Sequence, residues 1–346
     1  MSPVTAVAPD PRRALLEEWL RRELGLPAGE VTPASADASF RRYFRVRDGE
    51  RSFIVMDAPP EREDLGPFIA IAAALGAIGV NVPEVLEADR RRGFLLLTDL
   101  GTSVYLDALE SGGDVASLYA DATEALLAIQ ARGGAAAAGL PAYDLATLNR
   151  ELQLFPEWFL ARHLLYAPGP GESELIARSF ARLAAAALEQ PQVFVHRDYH
   201  SRNLMVTATR NPGILDFQDA LRGAITYDLV SLFKDCYIAW PRARVLDWVR
   251  GYRRRALALG VEIPGDELEW VRWFDLMGVQ RHLKVLGIFA RLWYRDGKAR
   301  YLCDLPRVLE YVVATTGAYA ELAELDRYLR ERVIPEFPAA QARVPT

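Results

Sequence analysis

The sequence predicts an α+β protein of two lobes, a small antiparallel-sheet lobe over residues 1–100 and a larger, mostly helical lobe over 101–346. Three observations predict it. Apolar residues alternate with period two in several stretches between Val31 and Thr98, and recur at helical spacing almost everywhere after Gly101. A chain of 346 residues is longer than a single hydrophobic core usually serves. Short apolar runs interrupt the helical half only near Val193–Leu215, where each delivers polar residues into a loop.

Composition narrows the function classes. The formal net charge is −5 and the pI is near 5.6, so bulk charge gives no nucleic-acid footprint. Cys236 and Cys303 lie far apart in helical patterns, which suits neither a disulfide framework nor a zinc site. No apolar stretch reaches membrane length, and the start MSPVTAVAPDPRR lacks a basic segment followed by an apolar one. A soluble cytoplasmic protein without a membrane partner is expected. Lysine occurs only at Lys234, Lys284 and Lys298, so the first 233 residues have none.

In the first lobe, Pro11–Leu24 places Leu15, Leu16, Trp19 and Leu20 at helical spacing, and Gly25 stops the helix. The period then becomes two. Ser39–Arg47 puts Phe40, Arg42, Phe44 and Val46 on one face and Arg41, Tyr43, Arg45 and Arg47 on the other. Asp48-Gly49 makes this strand a hairpin with the return strand Ser52–Met56. A helix over Leu65–Ile78 follows, with Glu61, Glu63 and Asp64 at the end where the helix dipole favours acids. Strands Pro83–Ala88 and Phe94–Thr98 are joined across DRRRG.

Beyond Gly101 the pattern is helical. Asp114–Arg132 carries Val115, Leu118, Ala122, Ala125, Leu126 and Ile129 on one stripe. GGAAAAG at 133–139 is low in complexity and reads as a flexible connector. Leu145–Leu165 is an aromatic-rich helix closed by APGPGE, and a second helix, Glu172–Glu189, leads into the Val193 strand. A helix begins near Tyr227, two long helical stretches cover Arg242–Leu259 and Glu267–Tyr294, and a helical region runs to EFPAAQARVPT.

The chemistry is concentrated in VFVHRDYHSRNLMVTATRNPGILDFQ, Val193–Gln218. Val193–Val195 reads as a strand that delivers His196, Arg197 and Asp198 at its end. Asn203 follows Asp198 by five residues, Leu204–Thr207 reads as a second strand, and Ile214-Leu215 delivers Asp216 after a turn at Asn211, Pro212 and Gly213. Two carboxylates and an amide are thereby expected at the edge of one small sheet. Phosphoryl transfer from a nucleotide uses such a set. It depends on positioning and charge neutralisation, with hard oxygen ligands for Mg²⁺ and a group that orients the attacking hydroxyl. Asp198 suits the base, and Asn203 and Asp216 suit the metal.

His196-x-Asp198-x-x-x-x-Asn203 followed by Asp216-Phe217-Gln218 resembles the catalytic and metal loops of the protein-kinase-like superfamily, in the form carried by aminoglycoside phosphotransferases and related small-molecule kinases. The resemblance implies a bilobal kinase-like fold with ATP and Mg²⁺ as cofactors. It gives His196 and Asp228 supporting roles, Asp228 as the carboxylate that ties down the catalytic loop's backbone. It sets a phosphate-covering loop at SADAS, so that Ser39 and Phe40 meet the nucleotide, and a hinge at Thr98, Asp99, Leu100 and Gly101, whose backbone meets adenine. Many kinases carry a phosphate-binding lysine on the strand before the first-lobe helix, but here that strand reads FIVMDAPP. The phosphates then need an arginine. Arg42 is the first choice and Arg41 the second, since a guanidinium grips phosphate with two hydrogen bonds.

The phrases SFRRYFRV, IVMDAPP, LLLTDLG, LNRELQLFPEWF and LDFQDALRGAITYDLVSLFKDCYIAWP look like the branch of sugar kinases that phosphorylate N-acetylmuramate and N-acetylglucosamine at the anomeric position. That resemblance implies an amino-sugar substrate and a role in recycling cell-wall sugars. Arg281–Arg300 holds six basic residues against Asp296, which suits the lactyl carboxylate of N-acetylmuramate better than a polycationic aminoglycoside. Trp158 and Trp240 offer faces for a pyranose, and Arg202, Gln218 and Arg281 are further acceptor-side candidates. Other readings are an aminoglycoside or small-alcohol phosphotransferase, a nucleotide-binding pseudokinase and a sugar sensor.

Overall fold

The computed structural model describes residues 10–27, 31–35 and 40–344. They divide into two compact units, one of Met1–Ser103 with Met205–Gln218, the other of Val104–Leu204 with Asp219–Thr346. The expected α+β class is borne out, with one five-stranded antiparallel sheet in the first unit and a helical second unit.

In the first unit, helix α1 (Pro11–Arg22) starts at Asp10, whose side chain accepts the Arg13 N–H at 3.1 Å, and Pro11 presets the first helical φ. Its Leu16, Trp19 and Leu20 pack with Phe44, Val46, Val55, Phe94 and Leu96 of the sheet. Strands β1 (Thr32–Ser35), β2 (Arg42–Asp48), β3 (Arg51–Asp57), β4 (Val85–Asp89) and β5 (Phe94–Thr98) lie in the order β1-β2-β3-β5-β4. Gly49 supplies the φ of 62° at the β2–β3 turn, and the register sets Phe44 opposite Val55 and Val46 opposite Phe53. The strand begins at Arg42 rather than Ser39. Phe40 therefore lies outside the ladder, 55% exposed, under the Arg62 guanidinium at 4.5 Å. Helix α2 (Leu65–Ala77) is capped by Asp64 and buries Phe68, Ile71 and Leu75.

The second unit opens with α3 (Tyr105–Glu110), α4 (Val115–Arg132), α5 (Gly134–Ala138) and α6 (Leu145–Leu152), then a π-helical segment Phe155–Leu164 and α7 (Pro170–Leu188). Two expectations fail here. GGAAAAG is not a loose connector: its alanines form α5, Ala137 is buried and the helix packs beside the next strand, as high alanine propensity allows. The single helix expected over Leu145–Leu165 divides at Gln153-Leu154 and continues in π geometry from Phe155.

Strands β6 (Gln192–Val195), β7 (Leu204–Met205), β8 (Gly213–Ile214) and β9 (Leu221–Ala224) form two separate ladders, β6 with β9 and β7 with β8. The runs expected to border one sheet thus belong to two. Strand β9 was not expected, because Arg222 and Gly223 leave it without apolar alternation.

Helices α8 (Tyr227–Phe233), α9 (Arg242–Ala258), α10 (Glu267–Tyr294), α11 (Leu305–Thr316), α12 (Ala323–Tyr328) and α13 (Ile334–Gln341) complete the unit. Helix α10 is its axis and packs against α7, α8, α9, α11 and the π-helical segment. Its Leu276, Leu283 and Leu286 join Phe155, Phe159, Phe180 and Val308 in one core, each such side chain contributing about 1.5–3 kcal/mol on burial. Among the described residues no helix is long and apolar enough to cross a membrane.

Candidate functional site

In the second unit, β6 ends at Val195 and the chain enters the loop His196–Asn203, which two buried carboxylates hold. Asp228, at the start of α8, accepts the His196 N–H at 2.6 Å and the Arg197 N–H at 3.0 Å. Asp235, just past the end of α8, accepts the N–H groups of Ser201 and Tyr237, both at 2.9 Å. Tyr199 anchors the middle by donating to the Ala122 carbonyl at 2.8 Å. The Asn203 amide nitrogen donates to the Asp198 carbonyl at 2.9 Å, which fixes the amide and its oxygen as one oriented unit.

Electrostatics separate the carboxylates. Burial alone would raise the Asp198 carboxyl, but His200, Lys284, Arg281 and Arg197 outweigh it and hold it below the usual carboxylate range. Burial wins at Asp228, which is pushed up to about 7 despite its two backbone N–H bonds and the Arg281 charge. Of the two, Asp198 is the carboxylate held ionised.

Acceptor-side candidates fall in different surroundings. Arg281 is 3% exposed, with its Nη1 at 3.5 Å from the Cys236 Sγ and its guanidinium 5.8 Å from the Tyr227 ring centre. Arg202 stacks on Tyr237 at 3.6 Å. The basic stretch is therefore not one surface: Arg281 and Lys284 are interior, while Arg295 and Arg300 are exposed. Trp158 lies on the π-helical segment in an open groove of about 500 Å³ with Glu157, Ala161 and Arg162. Trp240 donates to the Tyr119 hydroxyl at 2.6 Å and stands edge-on to Tyr119 and Trp248, in an aromatic cluster.

In the first unit, Asp216 has a left-handed φ of 64° and accepts from the Gln218 amide at 2.7 Å. Phe217 between them is buried against Phe68 of α2, ring centres 4.9 Å apart. Left-handed non-glycine backbone is costly and concentrates at functional sites. Among the described residues no group of three or more His, Cys, Asp or Glu gathers as a metal cage. Mg²⁺ needs no such cage, since it takes few protein ligands and fills its octahedron with water and phosphate oxygens.

The arginines of the hairpin are divided by their partners. Arg42 donates through Nε and Nη2 to Asp57 at 3.0 and 2.5 Å, and through Nη1 to Asp10; Asp57 is fully buried and also holds Arg12. Arg45 pairs with Asp99 at 2.6 Å, and Ser52 donates to the same carboxylate. Arg41 pairs with Glu63 at 2.9 Å, the two side chains 11% and 13% exposed, at the entrance to α2. Thr98 spends its N–H on the Glu84 carbonyl and its hydroxyl on the Glu84 N–H. The Leu100 side chain lies close to Gly213, where an added Cβ would meet it at 2.8 Å. Ser39 lies outside the described residues.

Sequence reasoning missed Asp235, Glu63 and Glu151, the last a partner of Arg197 and Lys284 at 2.5 and 2.9 Å. Glu151 carried a usable signal. It sits between Leu148 and Leu152 on the buried face of α6, and a charge on an apolar stripe needs a partner.

The model of the phosphotransferase enzyme family matches residues 30–274. A protein of Pseudomonas aeruginosa named N-acetylmuramate/N-acetylglucosamine kinase is 50% identical over 311 residues, covering 88% of this chain and 89% of that protein. One of the same name from Pseudomonas putida is 46% identical, with 93% and 97% covered. A solved choline kinase of Streptococcus pneumoniae shares the fold, with a TM-score of 0.58 at 11% identity over 88% of this chain and all of that one. The chain belongs to the phosphotransferase enzyme family.

Proposed function

We propose that the chain is an ATP-dependent kinase that phosphorylates the anomeric hydroxyl of N-acetylmuramate and N-acetylglucosamine. The observation that carries this reading is the identity of 50% and 46%, over most of each chain, to relatives bearing that kinase name. Asp198 orients the acceptor hydroxyl and takes its proton. A carboxylate held ionised is a weak base, and a hemiacetal hydroxyl is acidic enough among alcohols to need no stronger one. Asn203 and Asp216 would supply the protein oxygens for Mg²⁺, which neutralises phosphate charge when bound.

For the phosphates, Arg41 is a better candidate than Arg42. Arg42 braces the buried Asp57 together with Asp10, a structural duty of the hairpin, whereas Arg41 is the nearer in sequence to the segment expected to cover the nucleotide and pairs with Glu63 at the entrance to α2. The backbone of Asp99 and Leu100 is proposed to meet adenine, because Thr98 is already paired with Glu84.

The test is the chemistry of the product. With ATP, Mg²⁺ and each sugar, phosphorus NMR and a reducing-end assay should find an acid-labile, non-reducing sugar 1-phosphate. A product that still reduces, or transfer to aminoglycosides alone, overturns the acceptor reading.

A further inference from the structure

Arg197 holds a backbone conformation that its side chain makes costly. Its φ is 78°, in the left-handed region where glycine is at ease, and such strain persists only where the surroundings over-determine it. Here the surroundings are a buried polar chain. Arg197 Nη2 donates to Glu151 Oε1 at 2.5 Å, and Nη1 to the Asp219 carbonyl at 3.4 Å. The other Glu151 oxygen lies 2.9 Å from Lys284 Nζ and accepts the Tyr143 hydroxyl. Lys284 also donates to the Tyr227 hydroxyl at 3.0 Å, beside Asp228, and Gln280 donates to Tyr143 at 3.2 Å.

These groups are interior, Glu151 and Lys284 each 7% exposed. Burial would raise the Glu151 carboxyl, yet Lys284 and Arg197 outweigh it and keep it below its ordinary value. Both charges occupy helix positions among buried apolar residues, Glu151 beside Leu148 and Leu152, Lys284 beside Leu283 and Val285. A buried ion pair replaced by well-packed apolar side chains is often neutral or stabilising, so stability alone does not account for this one. Its free carboxylate oxygen is spent on the one residue of the loop that is strained.

We infer that the Lys284–Glu151 pair is a positioning device: it clamps the Arg197 guanidinium, holds residue 197 left-handed, and so fixes the direction in which Asp198 presents its carboxylate. The inference rests on the reading of Asp198 as the acceptor-orienting base. A carboxylate misplaced by about 1 Å costs on the order of a hundredfold in rate. The clamp acts through the placement of Asp198 and not through a substrate contact of its own, so the loss should fall on turnover.

Steady-state kinetics of the full chain with ATP, Mg²⁺ and N-acetylglucosamine tests this. Glu151→Gln and Lys284→Met should each lower kcat about 10- to 100-fold, with KM for both substrates within about threefold of wild type. Because either variant can fail to fold, a second pair stands at the partly exposed Arg197. Arg197→Gly should recover about fivefold or more of the kcat that Arg197→Ala loses, since glycine adopts this φ without strain. Adding Glu151→Gln to Arg197→Gly should then cost less than about twofold, the non-additivity of a shared device.

A merely structural pair would lower the melting temperature, leave kcat of the folded enzyme unchanged, and make Arg197→Gly no better than Arg197→Ala. Either kinetic result overturns the clamp. An inactive Asp198→Asn beside a fully active Glu151→Gln overturns the clamp alone, whereas near-normal turnover in Asp198→Asn overturns the reading of the base and the clamp with it.

Discussion

Asp235 accepts the backbone N–H of Ser201 at 2.9 Å, and thereby holds the far end of the loop whose near end Asp228 holds through His196 and Arg197. The two carboxylates are seven residues apart, at the start of α8 and just past its end. A rigid helix therefore sets the spacing of the loop's two anchor points. Both acids are buried, and they give the buried N–H groups of His196 and Ser201 their acceptor.

Asp235→Ala strands the N–H groups of Ser201 and Tyr237. Each unsatisfied donor costs about 1–3 kcal/mol, and a loop free at one end should lower kcat about tenfold or more. Asp235→Asn keeps one acceptor oxygen and should fall between. Urea unfolding and turnover measure the two effects; wild-type stability in the alanine variant contradicts the anchor.

Asp228 gives a pH signature. With its carboxyl pushed up to about 7 from 3.8, the folded chain keeps a proton there that the unfolded chain releases. Stability from this group is fully present below about pH 4 and is lost as pH rises through about 7. Asp228→Asn does not titrate. The stability of wild type relative to that variant should therefore decline over this window, by at most roughly 4 kcal/mol. A difference that stays flat, or grows with pH, excludes the raised carboxyl.

Asp198→Asn should leave nucleotide binding intact and lower turnover by about two to four orders of magnitude, the range for a positioned base. Asp216→Ala should weaken ATP only when Mg²⁺ is present. Calorimetric titration with and without the metal distinguishes the two residues, and an unchanged metal dependence removes Asp216 from the ligand set.

Arg41→Ala should weaken ATP about tenfold or more, as expected for losing a charge-assisted contact, while adenosine binds as before. Arg42→Ala should instead cost about 1–3 kcal/mol of stability by leaving the buried Asp57 to Arg12 alone, with ATP affinity of the folded protein unchanged. Melting curves and competition binding check both. Loss of ATP affinity in Arg42→Ala alone would return the phosphate role to Arg42.

Gly287→Ala tests the packing of α10. A Cβ there would lie 2.3 Å from the Leu154 carbonyl carbon and oxygen, backbone that has no rotamer to yield. The expected cost is about 2 kcal/mol or more, the upper part of the range for overpacking. In α9, a Cβ at Gly251 meets only the Arg254 guanidinium at 3.8 Å, so Gly251→Ala should be neutral or stabilising by up to about 1 kcal/mol. Equal melting temperatures for the two variants would show that α10 can shift.

Local patterns in the sequence determined the α+β class, the β2–β3 hairpin, α10 from Glu267 to Tyr294, and the loops that carry Asp198, Asn203 and Asp216. Alternation, turn residues and motif spacing are properties of a short window, and these elements are built from them. The pairings were decided by tertiary structure. Glu151 meets Arg197 across 46 residues and Asp235 meets Ser201 across 34, and β9 is a strand because β6 lies beside it, not because LRGA alternates. Arg41, Arg42 and Arg45 read alike along one arginine-rich segment. Only the folded chain distributes them among Glu63, Asp57 with Asp10, and Asp99, because a guanidinium's role depends on which carboxylate the packing brings to it, and no window of sequence contains both.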